Sequence, residues 1–144
     1  MSSKDILKLI KDKQIDFVDL RFTDPRGKLQ HLTMDSTVVD EEMLDKGVFF
    51  DGSSIAGWKA INESDMILKP DLERQIIDPF NSHTTLNLFC DILDAVKRNP
   101  YERDPRGTAK KADPQIIESN NKRDISLVLA SFISSSNCIY VYYA

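Results

Sequence analysis

Several residue types and patterns are scarce in this sequence, and each scarcity excludes a class of protein. Only two cysteines, Cys90 and Cys138, occur in 144 residues, and they lie far apart. A disulfide framework is therefore excluded, and we expect reduced thiols in a cytoplasmic protein. Two histidines and two cysteines at these spacings do not match a zinc site either, so the sequence predicts no metal bound in that way.

Positive charge is also scarce. The formal net charge is −4, and no basic cluster is longer than the pairs Lys110-Lys111 and Lys122-Arg123. Proteins that bind nucleic acid usually carry a stripe of lysine and arginine that neutralises phosphates. We therefore expect no nucleic-acid partner.

An uninterrupted apolar segment is missing from the N-terminal stretch MSSKDILKLIKDK, so the sequence predicts no secretory signal. The region 125–144 is different, because it contains no charged residue and is long enough to span a membrane. Ser134-Ser135-Ser136-Asn137 interrupts it, however, and its flanks are rich in β-branched and aromatic residues. Two short strands joined at SSSN fit this pattern better, and a tail anchor is the less favoured alternative.

What the sequence does contain is typical of one globular domain, with 41% hydrophobic and 29% charged residues. A helix capped by Ser2 or Ser3 is followed by a half-buried strand in FVDLRFT, a turn at DPRG and a return strand in KLQHLTM. A short acidic helix around 40–45 should end at Gly47, and the later strand candidates are 66–69, 75–78 and 85–93. This order predicts an α+β fold with one face of its sheet covered.

The chain divides by composition into three parts. Residues 1–96 form the predicted domain, and residues 97–112 form a polar linker with the start of a helix near Thr108. Pro114 should break or restart that helix, because proline lacks the N–H group that a helix interior requires. Residues 113–144 form a tail that contains no charged residue from Ile125 onwards.

The stretch FFDGSSIAGW at 49–58 is the most suggestive for chemistry, because it places one carboxylate, Asp51, among glycines and small hydroxyls. A purely local interpretation is an Asx turn, in which Asp51 accepts a hydrogen bond from the amide of Ser53. A functional interpretation is that Phe49, Phe50 and Trp58 fix the ends of the loop and present Asp51 to bind a small cation or accept a proton. The nearby acids in Asn62-Glu63-Ser64-Asp65 favour a solvated turn that leads into the next strand.

Longer segments resemble a known family. In order and approximate spacing, the sequence is similar to the start of bacterial glutamine synthetase at FVDLRFTDPRGK (17–28), FDGSSIAGWKAINESDM (50–66), IDPF (77–80), CDIL (90–93) and YERDPRGTAKKA (101–112). The resemblance covers roughly residues 4–112. It implies a β-grasp domain, with a mixed sheet and a short N-terminal helix.

The resemblance also implies a function. The family joins ammonia to glutamate with ATP and Mg or Mn, in rings of subunits whose active sites lie between neighbours. By resemblance, Asp51 helps to bind ammonium in a neighbouring subunit's site and takes a proton from it. Ser54 contributes to the same site, and Trp58 lies towards the nucleotide.

The end of the chain departs from the family pattern. No glutamate follows Glu118 and no acidic residue follows Asp124, whereas the family's metal-binding glutamates come from its catalytic domain. We therefore expect a chain truncated before that domain, which binds no cofactor alone and is inactive by itself. Two alternatives stay open: a non-catalytic module that docks on a full-length synthetase ring, and a degraded gene product.

Overall fold

The computed structural model describes residues 1–55 and 65–119, and only the backbone of residues 113–119. These described residues form three helices and five strands, with two short 3-10 turns, η1 and η2. In chain order they are α1 (Ser3–Asp12), β1 (Phe17–Thr23), β2 (Leu29–Asp35), η1 (Ser36–Val38), α2 (Glu41–Lys46), β3 (Val48–Asp51), η2 (Gly52–Ser54), β4 (Asp65–Ile77), β5 (Thr85–Asp94) and α3 (Pro105–Ser119).

The five strands form one mixed sheet in the order β2-β1-β5-β4-β3. The two halves of the sheet join where β1 pairs in parallel with β5, and the other neighbouring strands are antiparallel. With its short N-terminal helix this arrangement is an α+β fold of the β-grasp type, and the predicted fold class is confirmed.

The core lies on one face of the sheet. Alternate apolar residues of the three inner strands meet the apolar side of α1, and the members of this cluster include Ile6, Ile10, Val18, Leu20, Leu68, Leu86, Leu88 and Ile92. Ser2 begins α1 with a capping box, because its hydroxyl accepts from the amide of Asp5 while the Asp5 carboxylate accepts from the amide of Ser2. The predicted helix, hairpin and acidic helix are therefore all present.

The division of the chain into elements differs from the prediction in two places. The strand candidates 66–69 and 75–78 fall on one strand, β4, which ends at Ile77 and whose pairing with β5 shifts register between Pro70 and Gln75. An irregularity of this kind interrupts the alternating pattern without ending the strand. The predicted loop before Asp51 is in fact strand β3, which pairs with the first residues of β4.

The last helix also differs from the prediction. It begins at Pro105 rather than near Thr108, and its backbone continues through Pro114 to Ser119. Asp104 explains the early start, because its buried carboxylate accepts hydrogen bonds from the amides of Arg106 and Gly107 at 3.1 and 3.0 Å. Burial raises the pKa of Asp104, and these backbone hydrogen bonds offset part of that effect.

Other predictions concern residues that the structure does not describe. Trp58, Cys138 and the two strands expected within 125–144 lie outside the described residues. Among the helices of residues 1–55 and 65–119, none is both long enough and apolar enough to cross a membrane.

Candidate functional site

The candidate site is built on β3, an edge strand that pairs with β4. Side chains alternate between the two faces of a strand, so Phe50 points opposite to Phe49 and Asp51. The Phe50 ring packs against the ring of Phe22, with centroids 5.4 Å apart, and so fixes β3 to the core. Phe49 does not serve as the second expected anchor within this chain, because it remains 60% exposed.

Asp51 is the last residue of β3 and begins the turn η2. Its Oδ1 atom accepts a hydrogen bond from the amide of Ser53 at 2.8 Å, which is the Asx turn expected from the sequence. The Ser54 hydroxyl donates a hydrogen bond to the main-chain oxygen of Asp51 at 2.7 Å. The amide of Ile55 donates one to the main-chain oxygen of Gly52 at 3.1 Å. The local and the functional interpretations are therefore compatible, because the turn holds the carboxylate in a defined orientation.

The structure brings Asp51 and Ser54 together on one turn, and both residues are exposed. It also shows a neighbour that sequence reasoning treated only as part of a solvated turn. Asp65, the first residue of β4, is the direct cross-strand partner of Asp51 and is exposed as well. Like charges directly opposite each other on paired strands repel, so the pairing places two acidic side chains side by side at this end of β3. The stretch FFD could have indicated this contact, but it was interpreted as part of a loop rather than as a strand.

A divalent metal does not fit the part of the chain that is described. Within residues 1–55 and 65–119, no three His, Cys, Asp or Glu side chains lie together in a way that could hold a metal ion. The Mg or Mn that the resemblance implies therefore has no ligand set among these residues.

A second polar region lies on the β1–β2 hairpin, at the side of a groove of about 430 Å³. Asp19 is buried there, and its carboxylate accepts hydrogen bonds from Arg21 at 2.8 Å and from Thr33 at 2.6 Å. Arg21 also donates to Asp78 at 3.0 Å, and Nδ1 of the exposed His31 lies 2.9 Å from Asp19. These contacts tie the hairpin to the loop after β4, and the sequence did not predict them.

Comparison with known proteins gives the family. The family model described as "Glutamine synthetase, beta-Grasp domain" matches residues 14–95. The chain belongs to the glutamine synthetase family. Its resemblance to this family, drawn above from sequence motifs, is confirmed, and the described sheet is the β-grasp sheet of the family model.

Curated relatives agree with this assignment. The chain is 62% identical over 118 residues to glutamine synthetase of Rhizobium meliloti, a match that covers 82% of this chain and 25% of that protein. It is 56% identical over 115 residues to the Bradyrhizobium diazoefficiens glutamine synthetase, covering 80% and 24% of the two chains. The chain thus spans about a quarter of the length of these relatives.

A solved structure shows the same relationship. The glutamine synthetase of Plasmodium falciparum matches with a TM-score of 0.69 and 25% identity, covering 77% of this chain and 22% of that one. A structure named "Apo GmaS without ligand" matches with a TM-score of 0.65 at 22% identity, covering 72% of this chain and 24% of that one, which supports the fold alone.

Proposed function

We propose that this chain takes part in the synthesis of glutamine from glutamate and ammonia by supplying the Asp51 loop to the active site of a neighbouring glutamine synthetase subunit. The family membership and the names of the curated relatives support the reaction. The observation that carries the proposal is the position of Asp51, exposed at the end of an edge strand and oriented by the amide of Ser53. A cytoplasmic location belongs to the same proposal.

The chemistry of ammonium explains why a carboxylate is needed at this place. Ammonium has no lone pair and cannot attack a carbonyl carbon until it loses a proton. A carboxylate first stabilises the cation and then accepts that proton. Asp51 would do both, and the Ser54 hydroxyl, which donates to the main chain of Asp51, would offer its oxygen to an N–H of the same cation.

The remaining parts of the site would come from the partner subunit. In this proposal the partner binds ATP, the Mg or Mn ion and glutamate, since the described residues of this chain do not fit a metal. Trp58, seven positions after Asp51, would lie towards the nucleotide of that neighbouring site.

The decisive experiment is a rescue. Full-length Rhizobium meliloti synthetase, with the residue aligned to Asp51 replaced by alanine, is co-expressed with this chain, and glutamine formation by the purified assembly is measured. We expect the unmodified chain to raise the activity at least about tenfold and the Asp51→Asn chain to fail. Asp35→Asn is the matched control, because Asp35 also begins a 3-10 turn and accepts from the amide two residues later, at 2.8 Å.

Equal rescue by the Asp51→Asn and unmodified chains would contradict a chemical role for Asp51. A second candidate function, a docking module that modulates a synthetase ring, is favoured by the exposure of Asp51 and Ser54 on the turn. In that case the chain would bind an unmodified synthetase and change its activity to the same extent with or without the Asp51→Asn substitution.

A further inference from the structure

Phe49 is an unusual residue for an edge strand. It is 60% exposed, although its neighbour on β3, Phe50, is fixed against Phe22 and its cross-strand partner Ile67 is fully buried. An exposed aromatic side chain on a sheet edge invites association with another chain, and natural proteins usually avoid one. The other highly exposed aromatic residue among those described is Phe80. It lies in the loop between β4 and β5 and therefore does not belong to an edge strand.

The alternation of β3 relates Phe49 directly to the candidate site. Residues 49 and 51 are two positions apart on one strand, so their side chains share a face and their Cα atoms lie about 7 Å apart. A surface that brings Asp51 into contact with a second molecule must therefore also meet Phe49. Phe50 cannot serve in its place, because it points to the opposite face and packs on Phe22.

We propose that Phe49 is an anchor that becomes buried against the neighbouring glutamine synthetase subunit and thereby positions the Asp51 loop in that subunit's active site. This inference rests on the proposed function, because the occupant of the Phe49 surface is the same subunit that receives Asp51. Phe49 is a positioning residue and takes no part in the chemistry. The partner surface is predicted to be an apolar pocket beside the site that binds ammonium.

A single aromatic anchor can supply a large part of the binding free energy of an interface. Binding free energy in protein interfaces concentrates in a few large side chains, aromatic ones above all, that become fully desolvated in a pocket on the partner. Phe49 is already held by a paired strand, so little conformational freedom is lost when it docks. Anchoring β3 two residues before the carboxylate would also limit the positions that Asp51 can take.

The test uses the full 144-residue chain with an affinity tag, co-expressed with full-length Rhizobium meliloti synthetase. The measured quantity is the amount of synthetase retained for each tagged chain, compared for the unmodified chain, Phe49→Ser and Phe80→Ser. We expect Phe49→Ser to reduce the retained synthetase by a factor of about ten or more, and Phe80→Ser to retain as much as the unmodified chain. Urea unfolding of the isolated Phe49→Ser chain should stay close to that of the unmodified chain, because the side chain is already exposed.

The rescue assay distinguishes the positioning role proposed for Phe49 from the chemical role proposed for Asp51. Excess Phe49→Ser chain should restore glutamine formation, because weaker docking is overcome by concentration, whereas excess Asp51→Asn chain should not. If the unmodified chain binds and rescues while Phe49→Ser does so equally well at low concentration, the role of Phe49 is refuted and the proposed function stands. If the unmodified chain neither binds nor rescues, both proposals fail.

Discussion

Asp19 shows at the scale of one residue how far tertiary contacts change the properties of a side chain. It is 4% exposed, and burial by itself raises the pKa of a carboxyl group. Hydrogen bonds from Thr33, Arg21 and His31 outweigh that effect, so the pKa of Asp19 lies below its ordinary value. The folded protein therefore favours the ionised form more strongly than the unfolded chain does.

A pH dependence of stability follows. Because the folded-state pKa is lowered, Asp19 contributes stability above about pH 4, its unfolded pKa, and this contribution is lost as the pH falls through the lower folded value. We expect Asp19→Asn to reduce the free energy of unfolding at pH 7 by about 2 kcal/mol and to flatten its decline below about pH 4. Urea titrations at several pH values measure both effects.

Asp12→Asn is the control for this prediction, because Asp12 is exposed at the end of α1. Its effect should stay within about 0.5 kcal/mol. An Asp19→Asn chain with unchanged stability at pH 7 would show that the buried network contributes nothing to folding.

At the scale of elements, the corner between α2 and β3 depends on Gly47. This residue has φ 83° and ψ 177°, a backbone conformation nearly reserved for glycine. A Cβ atom added there would lie 2.5 Å from the main-chain oxygen of Leu68 and 2.6 Å from Cγ2 of Ile67. The corner therefore brings β3 against β4 only because residue 47 has no side chain.

Gly47→Ala should lower the free energy of unfolding by at least about 2 kcal/mol, because backbone strain and the overlap with Leu68 act together. Gly27→Ala is the matched control, since Gly27 also has a positive φ, 81°, in the hairpin turn, and should cost about 1 kcal/mol. Thermal or urea unfolding of both variants checks the difference, and equal losses would contradict a special constraint at the corner.

Most elements could be predicted from local patterns. Period-two alternation located β1 and β2, the apolar run located β5, and Gly47 marked the end of α2. Strand β3 was not predicted because its four residues are too few to show a clear alternation of apolar and polar side chains. Only the pairing with β4 makes them a strand. Helix α3 begins early because Asp104 caps it, and this cap is stabilised by burial beside β5, where the amide of Ile92 lies 3.4 Å from the carboxylate.

At the scale of the whole molecule, we expect no glutamine formation by the purified chain supplied with glutamate, ammonium, ATP and Mg. The reason is that no three metal-binding side chains lie together within residues 1–55 and 65–119. Full-length Rhizobium meliloti synthetase under the same conditions is the positive control. Turnover by the isolated chain would show that it holds a complete site.

The sequence by itself determined the family, the α+β class and the local turn at Asp51, because long motifs, strand periodicity and an Asp-Gly-Ser stretch act over a few neighbouring residues. Tertiary structure alone decided that Asp51 faces Asp65, that Phe49 stays exposed while Phe50 is packed, and that Asp19 is buried. These facts depend on which strands become neighbours. Strand pairing is fixed by contacts between residues distant in the chain, which a local pattern does not contain.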